Sequence, residues 1–139
     1  MEGLGRIFNV VHEASGVHIP LTAAQGVTFV SFLAAGTQSG TLKESIDGAS
    51  EQNLAVIDKY YKQPGIGGTW TKVTQTAAAT YDLTTDATND CLAFYVGADQ
   101  LSAGFNCVEV TATTGTCIAI IHDLAVQRAP ENLATNVDA

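Results

Sequence analysis

An all-β fold, an antiparallel β-sandwich or barrel with at most one short helix and extended termini, is predicted by three observations. Runs rich in β-branched and aromatic residues recur at short intervals. Clusters of Gly, Pro, Asn, Asp and Ser separate them, and only one segment shows helical periodicity. The surface expected of such a fold is unusually neutral. Hydrophobic residues make up 46% of the chain and charged residues only 14%, so Thr, Ser, Gln, Asn, Gly and Ala must cover much of the exterior.

Arg6 to His12 and Val27 to Leu33 read as strands bounded by Gly-, Ser- or Ala-rich turns. In the second, alternation places Val27, Phe29 and Leu33 on one face and Val30 and Phe32 on the other. Both faces are therefore apolar, which predicts a central or covered strand. Between the two, Val17 to Leu21 is an edge strand or an extended link, because Pro20 has no N–H to donate to a ladder. Gly36 to Ser50 has few apolar anchors and reads as a long loop or arm around a short strand.

Glu51 to Lys62 supports two readings. Leu54, Ile57 and Tyr61 recur at helical spacing behind a Ser50 cap, while Val56, Ile57, Tyr60 and Tyr61 equally suit a strand. Pro64 to Gly68 is a turn, Trp70 to Gln75 alternates as a half-exposed strand, and Tyr81 and Leu83 mark a short strand before a turn at Asp86 to Asp90. Leu92 to Val96 and Cys107 to Thr113 follow, joined through Ala98 to Leu101. The last strand, Ile118 to Val126, sets Ile118, Ile120, His122, Leu124 and Val126 against Ala119, Ile121 and Ala125.

A length of 139 residues suits one domain, long enough to bury roughly 68% of its unfolded surface without staples. The expected division is a β domain over residues 1–127 and an extended C-terminal tail over 128–139, polar, broken by Pro130 and with no obvious reason to fold back. Six basic against 14 acidic residues give a formal charge of −8, which opposes binding to nucleic acid or an anionic membrane. No apolar run approaches the roughly 20 residues of a membrane span, and the N-terminus lacks a signal-peptide pattern. The expectation is a soluble protein used without secretion. Cys91, Cys107 and Cys117 are odd in number and sit in or beside strands, so buried free thiols are expected; a Cys91–Cys107 or Cys107–Cys117 bridge is the alternative.

The chemistry-bearing residues form no recognisable catalytic pattern. Gly65-Ile66-Gly67-Gly68 lacks the Lys-Ser/Thr pair and the helix of a phosphate loop. His12, His18 and His122 lack metal-site spacing, although His12, His18 and Glu13 would meet across a hairpin. No Gly-x-Ser-x-Gly signals a nucleophile. Asp82, Asp86 and Asp90 lie in a Thr/Asn-rich region, where Asx-type hydrogen bonds or a weak cation site would occupy them. Trp70, Tyr60, Tyr61 and Tyr95 are core and rim packing or a carbohydrate-stacking platform. Neither an enzyme nor a cofactor or metal is expected.

At Gly5 to Val10, Ala98 to Phe105 and Ala125 to Leu133 the chain resembles small virion proteins of tailed bacteriophages, in particular head decoration or minor capsid proteins of phages infecting actinobacteria. The resemblance spans most of the chain. It implies a noncatalytic subunit, a trimer or other small oligomer, that binds the major capsid protein of an assembled shell. It also implies assembly in the bacterial host cytoplasm and a final place on the capsid surface of the virion. The docking residues expected on this basis are Arg6 near one end and Arg128, Pro130, Glu131, Asn132 and Leu133 near the other, with Glu2 to Arg6 as the second docking segment. Two alternatives accompany it: a tail-tube or head-to-tail connector subunit, and a carbohydrate or host-surface binding module with Trp70 and Tyr60 exposed side by side.

Overall fold

The computed structural model describes residues 3–133, folded into two antiparallel sheets packed as a sandwich-like pair without barrel closure. The strands are β1 (Phe8–Glu13), β2 (Ile19–Pro20), β3 (Ala24–Leu33), β4 (Thr37–Ile46), β5 (Ala49–Asn53), β6 (Ile57–Gln63), β7 (Thr71–Ala78), β8 (Thr80–Thr84), β9 (Asp90–Gly97), β10 (Cys107–Ala112) and β11 (Thr116–Leu124). The six-stranded sheet runs β1-β11-β3-β9-β6-β7. The five-stranded sheet runs β2-β10-β4-β5, with β8 also paired to β4. The only helical turns among the described residues are 3-10 turns at Ala98–Gln100 and Pro130–Asn132.

Alternation along the strands builds the core. Val27, Phe29 and Leu33 of β3 point inward with Leu92, Phe94 and Val96 of β9, and meet Leu42, Leu83, Val108 and Val110 of the opposite sheet. Each such side chain, fully buried, contributes about 1.5–3 kcal/mol. Phe94 stacks on Phe29 at 5.3 Å between ring centroids and meets Tyr81 at 5.2 Å. The Tyr81 hydroxyl ties the sheets together through Ser31 Oγ at 2.8 Å and Gln38 Oε1 at 3.0 Å.

One expectation is corrected and one open alternative is resolved. Gly36 to Ser50 is not a loop or arm but largely the ten-residue strand β4, at the centre of the five-stranded sheet. Its inward positions include Gln38 and Glu44, and these polar side chains are buried because each has partners. Gln38 donates to Thr114 O at 2.6 Å, and Glu44 accepts from Gln52 Nε2 at 2.6 Å and Ser102 N at 2.8 Å. Glu51 to Lys62 takes the strand alternative, in β5 and β6. Ser50 is no helix cap but the second residue of β5, at φ 55°, and a bulge between Ile57 and Lys59 sends both Ile57 and Tyr60 inward. The bulge thereby produces helix-like spacing within a strand.

The remaining elements lie where expected. β2 is a two-residue edge strand, β7 a half-exposed edge strand, and β3 is central. All three cysteines are free and buried; burial raises each thiol, Cys117 to about 12.

Candidate functional site

The outer face of the six-stranded sheet is apolar across four strands. Register sets Val10 beside Ile120, Ile118 beside Val30, and Val30 beside Ala93. Phe32 is 44% exposed, Tyr95 53% and Val10 39%, and the exposed charged side chain of these strands, Asp123 of β11, lies at the rim beside His122. β3 is therefore central within its sheet, with no layer over its outer side among the described residues. Tyr95 lies flat across Gly26, where a Cβ would collide with its ring, and stacks on His122 at 5.5 Å between centroids.

His122 heads a short relay at the rim of that face. Its Nε2 lies 3.0 Å from Thr28 Oγ1 and its Nδ1 lies 2.8 Å from Asp123 Oδ2. The order hydroxyl, imidazole, carboxylate resembles a nucleophilic triad, but Thr28 sits in mid-strand between β11 and β9. The neighbouring backbone groups take part in those two ladders. The arrangement orients the imidazole under Tyr95.

The residues expected to dock fall at one end of the sandwich. Arg128 N donates to Gly5 O at 2.9 Å, so the N-terminal turn holding Arg6 and the segment from Arg128 form one seam. Gly5 has φ +81°, and a Cβ there would collide with the Arg128 carbonyl, so this approach requires glycine. Pro130–Asn132 forms a 3-10 turn, and half-buried Leu133 helps line a groove with Asn9, Pro20, Ile121 and Leu124. Arg6, Arg128, Glu131 and Asn132 are exposed and Pro130 is half-buried. The tail thus does fold back as far as Leu133; Glu2 and residues 134–139 lie outside the described residues.

Other candidates resolve as internal structure. Asp90, buried, accepts from Gly65 N at 2.8 Å and Asp86 N at 2.7 Å. These bonds, with one from Ala87 N and the Lys62 charge, outweigh burial and hold its carboxyl below the usual range. Asp86 pairs with Lys62 at 3.3 Å and Asp82 accepts from Ser39 Oγ at 2.9 Å. Tyr60 is 7% exposed, so it does not stand beside Trp70 on the surface. The hairpin pairing of His12 with His18 does not form a site: His12 is exposed on β1, Glu13 points inward, and His18 is buried beside Glu109 of β10 and Glu51 of β5. The latter group escaped sequence reading because its three residues come from distant segments.

Glu13 sits between the two sheets. Its Oε1 accepts from Ala14 N at 3.0 Å. Burial, reinforced by the nearby Glu109, pushes its carboxyl up to about 9 despite hydrogen bonds from the Ala14 and Val110 backbones.

Comparison of this chain with protein-family models, curated proteins and solved structures found no match.

Proposed function

We propose that this chain is a noncatalytic virion structural protein, a decoration subunit that associates with copies of itself and binds the major capsid protein of an assembled phage shell. The observation that carries this reading is the largely apolar outer face formed by β1, β11, β3 and β9. A specific interface buries about 1,600 Å² in total, with an apolar centre and a polar rim. Val10, Val30, Phe32, Ile118, Ile120 and Tyr95 supply such a centre, and trimer formation buries it.

Capsid docking is assigned to the seam. Arg128 presents a planar guanidinium suited to bidentate pairing with a capsid carboxylate, while Pro130 and the bond from Arg128 N to Gly5 O lower the entropy lost when the segment docks. Arg6, Glu131, Asn132 and Leu133 surround it on the same end.

Light scattering of the purified chain, then sedimentation with expanded and unexpanded shells of its source phage, tests the reading. A trimer that co-sediments at fixed copy number supports it. A ring or tube that ignores the shell makes the chain a tail component, and a monomer that binds neither overturns the proposal. Deleting Pro130 to Ala139 is expected to reduce shell occupancy while leaving the domain folded; unchanged occupancy removes the tail from the docking surface.

A further inference from the structure

We propose that His18, Glu51 and Glu109 form a binding site for one divalent metal ion of the zinc type on the outer side of the five-stranded sheet. The three residues come from the segment leading into β2, from β5 and from β10, and each offers one ligand atom within 4.8 Å of the others. His18 Nε2 stands 3.4 Å from Glu51 Oε1 and 4.0 Å from Glu109 Oε2.

These separations fit a ligand set as well as an ion-paired cluster. A charge-assisted N–H to carboxylate bond has a length of about 2.7–2.9 Å, shorter than either distance. Two ligands on a tetrahedral ion, each about 2.0–2.1 Å from the metal, stand about 3.3 Å apart; the His18–Glu51 separation approaches that value, and the His18–Glu109 separation of 4.0 Å closes to it by a small side-chain shift.

The surroundings hold the ligands in place. His18 is fully buried and its Nδ1 lies 3.3 Å from Ser45 Oγ, a contact that orients the ring with Nε2 toward the carboxylates. Glu109 is 2% exposed, and its Oε2 accepts the Gly16 N–H from the turn that covers the site. Glu51 is 36% exposed and leaves the site open to solvent on one side, where water would complete the coordination. Lys43 faces the group, with Nζ 3.6 Å from the other Glu51 oxygen, and Glu13 lies close enough to Glu109 to feel its charge. One imidazole nitrogen with two carboxylate oxygens suits zinc better than a thiolate-seeking ion.

Bound there, the ion would fasten β5, whose side chains are all exposed, to the β1–β2 turn and β10.

The test is titration of chelator-treated, reduced protein with zinc chloride by calorimetry, alongside metal analysis after desalting and thermal unfolding with and without the ion. One zinc per chain and a raised melting temperature are expected. Glu51→Gln, on an exposed side chain, should bind at least tenfold more weakly while folding normally, and His18→Gln should abolish binding. Cys107→Ser should bind as the parent does, and cobalt substitution should give tetrahedral visible bands without thiolate charge transfer. Absence of saturable binding at millimolar zinc, or binding unchanged in Glu51→Gln, overturns the site.

Discussion

The outer face of β1, β11, β3 and β9 carries Val10, Ile118, Ile120, Val30, Phe32 and Tyr95, whereas the outer face of β10, β4 and β5 carries Glu109, Lys43 and Glu51. Both sheets bury a similar aliphatic and aromatic core between them, so core packing does not account for the contrast. The charged face already has protein partners: Glu109 with Gly16, Glu51 with Lys43 and His18. The apolar face has exposed rings and aliphatic chains with no covering layer among the described residues. An exposed apolar surface of this kind marks an interaction site more often than a solvated one.

Placing charge on the apolar face is the most direct way to break this comparison. Phe32→Asp is expected to weaken self-association at least a hundredfold and reduce the native mass by light scattering to that of one chain, with circular dichroism unchanged. An unaltered oligomer would move the interface elsewhere.

A second effect comes from between the sheets. The Glu13 carboxyl titrates near 4.5 when unfolded and at about 9 when folded, so folding takes up a proton within that window. Its contribution is therefore full below pH 4.5, and stability falls as pH rises toward 9. Urea midpoints at pH 5, 7 and 9 should decline, and Glu13→Gln should flatten the decline; parallel curves would refute the assignment.

Glu109→Ala sharpens the contrast from the other side. It leaves the Gly16 N–H without its acceptor and is expected to lower stability by about 1–3 kcal/mol in chemical denaturation, while native mass stays unchanged. The most local effect is expected at the seam, where Gly5→Ala forces a side chain into the left-handed region at a cost of about 1–2 kcal/mol and pushes the Arg128 carbonyl away. Amide exchange at Arg128 should accelerate in that variant while the sheet cores keep their protection.

The legibility of these features followed the chemistry of the inward positions. β3, β9 and β11 were readable because Val27, Phe29, Leu92, Phe94 and Ile121 alternate with outward residues. β4 was not, because Gln38, Gly40 and Glu44 occupy buried positions where a strand ordinarily places Val or Ile. Their burial depends on distant partners at Thr114, Tyr81 and Ser102 that local periodicity does not reveal. The helix-like spacing of Leu54 and Ile57 came from the irregular link between β5 and β6 that separates them. The apolar outer face was half legible: both faces of Val27 to Leu33 read as apolar, but whether a layer covers Phe32 and Val30 is a property of the whole fold. The His18 group was illegible, since no spacing rule links three residues joined only by strand pairing.

The pairing of Phe8 with His122 and of Glu13 with Cys117 joins the first strand of the sandwich to the last. On the ribosome β1 emerges before the other strands of the sandwich and lacks its neighbour β11 until they have been made. The edge of the six-stranded sheet thus closes late, after a long-range search that makes folding slow relative to a fold of local hairpins. Until β11 arrives, its edge beside β3 is also missing, and the nascent domain exposes unpaired strand edges along with its apolar outer face. Crowded synthesis would therefore favour pairing between neighbouring copies before each has completed its own sheet.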